Sequence, residues 1–218
     1  MNKDIFAIRE NLKSKLNPIR YEHSLSVSFT CVALAMKYGY DLNKAELAGI
    51  LHDCAKRYDN DTIIKKCLKN GIVITESERM APSIIHAKLG AWMAEHKYGV
   101  TDPEILSAID CHTTGKPNMG ILDKILYIAD LIEPRRDGIP ELDQIRKIAF
   151  EDLDEALFKT MESILSYLEA NGTYVDVMTK EAYEYYKLLR EEHKTNEAVK
   201  RNGKNCGQST RRQKRRRH

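Results

Sequence analysis

Apolar residues recur three and four positions apart through nearly the whole body of this chain, and the runs are closed by glycines, prolines and short polar caps. That spacing lines side chains along one stripe of an α-helix, so the body reads as a succession of amphipathic helices. After Pro18, the segment Ile19 to Tyr38 places His23, Val27, Cys31, Leu34 and Ala35 on one stripe and stops at Gly39. Asn43, with Glu46 three residues on, has the form of a capping box opening a helix that runs through Leu51, His52 and Asp53 toward Lys56. Further helices are expected over Asn60 to Asn70, from Ser83 through Met93, from the Asp102-Pro103 start through His112, and over Leu122 to Ile132, which Pro134 limits. Three more follow near Leu142 to Phe150, Leu153 to Glu169, and Thr179 to Lys194, while Glu76, Glu78 and Arg79 fall in a connection read as exposed. Strand signals are nearly absent and aromatics are only 7% of residues, which speaks against a β-sandwich. The fold class is all-α.

A chain of 218 residues suits one domain with a sizeable core, and its 42% hydrophobic and 31% charged residues fit an ordinary globular protein. Charge divides it unevenly. Residues 194–218 hold ten basic side chains against one acidic, a net +9, which leaves residues 1–193 at 25 basic against 31 acidic, −6. The division is therefore a domain over 1–193 and a disordered basic tail over 194–218, with contact to RNA or another polyanion as the sharper reading of the tail and a solvated tail as the plainer one. Five cysteines, an odd number without a C-x-x-C pair, imply neither a disulfide framework nor a thiolate zinc site. With no secretory signal and no apolar run long enough for a membrane, the expected compartment is the cytoplasm.

Six ionisable residues lie inside apolar helical contexts: His23, His52, Asp53, His86, His112 and Asp130. Together they make a candidate metal site, because imidazole nitrogen with carboxylate oxygen suits zinc, manganese and iron, and facing helices of a bundle can supply such ligands to an interior point. Taken singly, His23, His86 and His112 read as hydrogen-bonded core histidines. Asp130 differs, since a carboxylate between Ala129 and Leu131 is costly unless a cation or metal pairs with it, or unless that turn is exposed. His96, His193 and His218 read as surface.

The order His23, then His52-Asp53, then Asp130 resembles the signature of the HD superfamily of metal-dependent phosphohydrolases. The motifs Leu51-His52-Asp53-Cys54-Ala55-Lys56, His86-Ala87-Lys88-Leu89-Gly90, Ala108-Ile109-Asp110-Cys111-His112-Thr113-Thr114-Gly115 and Tyr127-Ile128-Ala129-Asp130-Leu131-Ile132-Glu133-Pro134-Arg135-Arg136 are similar to those of its YqeK family, the symmetrical diadenosine tetraphosphate hydrolases. The resemblance spans Leu12 to Arg190 and leaves the tail outside it. It implies an HD-domain helical bundle that splits diadenosine tetraphosphate into two ADP, with one or two iron ions, manganese and zinc being alternatives. It also implies that His23, His52, Asp53 and Asp130 hold one metal and that His86 and His112 complete a second site or contact phosphate. Asp53 and Lys56 are then the catalytic residues. Lys56, Arg135 and Arg136 meet phosphate oxygens, with one of the two arginines expected to be merely solvated, and Thr173 and Tyr174 belong to a segment that closes on the nucleotide. His23, His86 and His112 also face the substrate in this reading.

Two rival readings follow from the same residues. One keeps the metal and changes the substrate, to a nucleotidase or a hydrolase of a signalling nucleotide such as guanosine tetraphosphate. The other is a non-catalytic RNA- or ribosome-associated protein using the tail, against which the complete ligand set speaks. A cyclic-dinucleotide phosphodiesterase is disfavoured because no Gly-Tyr-Pro tripeptide occurs. Oligomeric state has no sequence signal, and a homodimer stays open.

Overall fold

The computed structural model describes residues 4–214, with side chains described through residue 195. Its helices are α1 (Ile5–Lys13), α2 (Pro18–Tyr38), α3 (Leu42–Leu51), α4 (Asn60–Lys69), α5 (Glu76–Met80), α6 (His86–His96), α7 (Pro103–Cys111), α8 (Ile121–Ile132), α9 (Leu142–Ala149), α10 (Leu153–Ala170) and α11 (Val177–Lys214), with a 3-10 turn at Pro82–Ile84 before α6. No strand occurs among the described residues, as the apolar spacing requires. None of their helices is long and apolar enough to cross a membrane.

Helix α8 is the central element. Leu122, Ile125, Leu126, Tyr127, Ile128 and Ala129 are all buried, and the helix touches α2, α3, α7, α9 and α10. Each such aliphatic side chain removed from water contributes about 1.5–3 kcal/mol, so α8 is a large share of the core. Helices α2 and α3 meet closely because Gly49 has no side chain: a Cβ there would lie 2.6 Å from the Ser28 Cα. Ser28 Oγ donates to the Glu46 carbonyl at 2.9 Å across the same contact. That contact sets His23 on α2 beside the end of α3.

Several local expectations shift. Helix α3 is capped by Asp41, which accepts from the Asn43 and Lys44 amides, two residues before the expected Asn43 start. It ends at Leu51, so residues 52–57 form turns rather than helix. A first helix that the sequence reading passed over, α1, is capped by Asp4 and buries Ile8 and Leu12. The segment read as an exposed connection is the short helix α5, opened by a Thr75/Glu78 capping box, and Glu78 is buried with Lys88 on its carboxylate. Helix α11 begins at Val177, earlier than the start expected after Thr179, with Asp176 accepting the Met178 amide. It is tied to the body by paired Arg190–Glu155 bonds of 2.6 and 2.5 Å and by the Met119 amide donating to Tyr186 at 2.6 Å. It continues past the boundary expected at residue 194. The side chains of 196–218, which carry nine of the ten basic residues of 194–218, lie outside the described residues, and so does all structure of residues 215–218.

Candidate metal centre

Helix ends aim most of the cluster. His52 and His112 sit at the C-terminal caps of α3 and α7, where the last-turn carbonyls have no helical amide to accept from. Each ring fills that role with Nδ1, on the Gly49 carbonyl at 2.7 Å and the Ile109 carbonyl at 2.7 Å. His86 opens α6 and places Nδ1 2.6 Å from the Ser83 carbonyl in the preceding 3-10 turn. A carbonyl only accepts, so Nδ1 carries the proton in all three neutral rings, and Nε2 presents a lone pair inward. His23, on α2, uses Nδ1 differently: its partner is the buried Glu133 carboxylate just beyond α8, at 3.2 Å.

The four Nε2 atoms gather around two carboxylates. His86 Nε2 is 3.1 Å and His112 Nε2 3.8 Å from Asp53 Oδ1, while His52 and His23 Nε2 are 3.5 and 3.8 Å from Asp53 Oδ2. Asp130 Oδ1 lies 3.0 Å from His23 Nε2 and 3.9 Å from His52 Nε2. Five of the six residues named from the sequence fall in two adjoining groups that share His52: His23, His52 and Asp130, and His52, Asp53 and His112; the sixth, His86, joins them through Asp53 Oδ1.

The charges of the cluster hold one another. Burial works to raise the Asp53 carboxyl, but the His52, His112 and His86 rings outweigh it and hold it well below the usual carboxylate range. Burial likewise opposes ionisation of Asp130, and His23 and His52 keep its carboxyl below its ordinary value. His52 is pushed down to about 4 by burial, so it is neutral at neutral pH, the form that ligates a metal. Burial also lowers His86, whereas in His23 and His112 the neighbouring carboxylates override burial and raise the imidazole.

Residues not foreseen complete the surroundings. Arg20, in the first turn of α2, places Nη1 2.6 Å from Asp53 Oδ2. It stands three residues before His23 and so on the same helical face, a spacing that could have revealed it. Glu133, three residues past Asp130, had the same signal. Arg136 holds Asp130 at both its carboxylate, 3.1 Å, and its carbonyl, 3.2 Å. Arg135 turns to Glu22 at 2.5 Å and is 58% exposed, against 41% for Arg136. Arg146 of α9 fastens the chain beyond α8 by donating to the carbonyls of Ile132, Glu133 and Arg136.

The cluster opens into a cavity of about 1530 Å³ whose wall includes His23, His86, His112 and Asp130, the cations Arg20, Lys56, Arg135, Arg136 and Lys159, and Tyr167 of α10. Lys56 reaches this wall from the turn after α3, not from a helix, and burial lowers its amine below the usual lysine value. Asp130 is a quarter exposed there, so its inward placement is balanced by His23 and Arg136. Thr173 and Tyr174 are not on the cavity wall; Tyr174 lies by Ser77, with 3.2 Å between the hydroxyls. His96 is exposed at the end of α6, as read.

The donor set fits a metal. Among the described residues, His52 Nε2 is buried without a hydrogen-bond partner, an arrangement that costs about 1–3 kcal/mol unless something occupies the lone pair, and His23 Nε2 faces the Asp130 carboxylate at 3.0 Å. His86 and His112 bring Nε2 atoms within 3.1 Å of each other, which needs a proton or a cation between them because both Nδ1 protons are committed elsewhere. Four imidazole nitrogens with carboxylate oxygens match a first-row transition ion, and the Glu133 carboxylate behind His23 is the kind of partner that orients a metal-binding histidine.

Fold and site together define a class: a helical protein with a histidine-aspartate metal centre at the base of an open cavity lined by charges of both signs. The chain belongs to the HD-domain family, whose pattern matches residues 20–135. It is 36% identical over 157 residues to the symmetrical bis(5'-nucleosyl)-tetraphosphatase of Bacillus subtilis (strain 168), covering 72% of this chain and 83% of that one. The Staphylococcus aureus (strain NCTC 8325 / PS 47) protein of the same name is 36% identical over 176 residues, covering 80% and 90%. A crystal structure from Clostridium acetobutylicum, described as a predicted HD superfamily hydrolase involved in NAD metabolism, matches with a TM-score of 0.82 at 36% identity, over 85% of this chain and 98% of that chain.

Proposed function

We propose that this chain hydrolyses diadenosine tetraphosphate symmetrically to two ADP, using one or two iron ions held by His23, His52, Asp53, His86, His112 and Asp130. The observation that carries the reading is the convergence of four Nε2 atoms and two carboxylates at the base of a cavity whose wall carries Lys56 and Arg136 among both cations and carboxylates. The names of the relatives supply the substrate. Manganese and zinc are accepted by the same donors, so metal availability decides between them as much as the ligands do.

An ion bound there supplies Lewis acidity, drawing charge from a phosphoryl oxygen and making a coordinated water easier to deprotonate. The remaining work belongs to the chain. Asp53, ionised and facing all four histidines, orients the nucleophilic water by accepting its hydrogen bond. Lys56 and Arg136 stand on the cavity wall where negative charge grows on the phosphoryl oxygens and the leaving ADP, and a cation fixed in advance at such a point lowers the barrier without reorganising. His23, His86 and His112 border the same space and orient the substrate's phosphates. Thr173 and Tyr174, off the cavity wall beside Ser77, would reach the nucleoside end only by closure of the turn after α10, the helix whose Leu168 and Ala170 line the cavity. Arg135 has the weakest case of the cations, being engaged with Glu22 and Ser26.

Residues 1–193 form the hydrolase in this reading, acting in the cytoplasm, and 194–218 an accessory tail that contacts RNA or another polyanion through its charge. A homodimer is tested by light scattering.

The deciding assay incubates iron-loaded protein with diadenosine tetraphosphate and separates the products by chromatography, beside Asp53→Ala. Two ADP from the parent and none from the variant establish reaction and site. ATP plus AMP would overturn the symmetrical assignment, and no turnover with any of the three metals would remove this substrate and leave another nucleotide or the binding-protein reading.

A further inference from the structure

Among the arginines on the cavity wall, Arg20 stands apart in what holds it. Arg136 is anchored by the Asp130 carbonyl as well as its carboxylate, Arg135 by Glu22 and Ser26, and Lys159 by Glu162. Lys56 reaches the Ser83 carbonyl at 3.5 Å. The Arg20 guanidinium has one side-chain hydrogen bond among the described residues, to Asp53 Oδ2 at 2.6 Å, and its side chain is 35% exposed to the cavity. That oxygen is the one facing Nε2 of His23 and Nε2 of His52, the latter without a hydrogen-bond partner.

Asp53 Oδ2 thus has two claimants, a guanidinium and any ion held by those two nitrogens. A positive charge at hydrogen-bond distance from a ligand oxygen opposes the binding of a second cation there. An arginine with a purely structural task would be fixed from several sides. One held by a single contact, a turn above His23 and open to the cavity, is placed to exchange partners. Its planar fork matches two phosphate oxygens, as an ammonium does not.

We propose that Arg20 contacts the substrate's phosphate by trading Asp53 Oδ2 for a phosphate oxygen, so that it restrains metal affinity while raising affinity for the anion. The inference rests on the reading of the site as a metal-dependent phosphoanhydride hydrolase, but not on which nucleotide is cut.

The test uses the full chain and its R20Q and R20K variants, each first checked by thermal melting. Manganese(II) is titrated into chelator-stripped protein and free ion read by electron paramagnetic resonance; inorganic phosphate is then titrated calorimetrically into manganese-saturated protein. R20Q is expected to bind manganese about tenfold more tightly and phosphate about tenfold more weakly, with R20K moving the same way by less. If R20Q does not fold, R20K alone must show both shifts. Unchanged or weaker manganese binding overturns the proposal, and so does unchanged phosphate binding. A merely structural ion pair would weaken both ligands together, so the opposed signs are the signature. Neither titration contains a nucleotide, so absence of diadenosine tetraphosphate turnover in the parent would sink that substrate and leave this result standing.

Discussion

His52, His86 and His112 each commit Nδ1 to a carbonyl three residues earlier, whereas His23 commits its Nδ1 to Glu133, 110 positions away. The first three owe their tautomers to local backbone at a helix end or the turn before one. The fourth owes its tautomer to the docking of α2 on α8. The two kinds of support fail differently: a carbonyl cannot be removed by changing a side chain, but a carboxylate on another element can. Asp53 joins them, because Oδ1 faces His86 and His112 while Oδ2 faces His52 and His23.

Breaking both sides at once gives the largest effect. Asp53→Asn removes the charge on which both groups depend and is expected to lower turnover of diadenosine tetraphosphate about a thousandfold, with a matching loss of bound metal by mass spectrometry. Turnover within tenfold of the parent would show that Asp130 and the histidines suffice. The next substitution separates the locally held His52 from the distantly held His23 without touching either ring. Gly49→Ala forces a Cβ to 2.6 Å from the Ser28 Cα, so α2 and α3 must part, at about 1–3 kcal/mol in urea unfolding. A variant as stable as the parent would mean that the contact relaxes freely.

Glu133→Gln acts on the distant support alone. The amide can still accept from His23, but the charge that orients and polarises the ring is gone, and metal affinity should fall about tenfold. The loss should be confined to the ions that His23 helps hold. Equal weakening of every ion would show that the two kinds of support are not separate. The smallest effect is expected furthest from the cluster: deleting residues 194–218 should leave turnover unchanged while abolishing salt-sensitive RNA binding. A turnover loss beyond about twofold, outside the scatter of surface changes, would place the tail inside the enzyme.

All six metal-site candidates were legible because an ionisable residue inside an apolar helical run needs a reason to be there. Arg20 and Glu133 escaped because each follows or precedes a proline at a helix end, where a charge reads as solvated. Their spacing of three from His23 and Asp130 was nonetheless visible. Glu78 read as exposed and is buried because Lys88, ten residues on and in another helix, comes back to its carboxylate. Helix α1 shows a weaker lapse, since Asp4, Ile8 and Leu12 carry both its cap and its stripe.

The sequence by itself determined where the helices lie, to within a few residues, because apolar spacing, capping side chains and the αL glycine at Gly39 act over one or two turns. It also determined that His52 and His112 would stand near helix ends. Only the tertiary structure decided that α2 and α3 approach through Gly49, that Glu133 backs His23, and that of the wall arginines it is Arg20 that rests on Asp53. Those pairings span 21 to 110 positions, and at such separations partners are chosen by how whole helices pack, not by anything a short stretch of chain can specify.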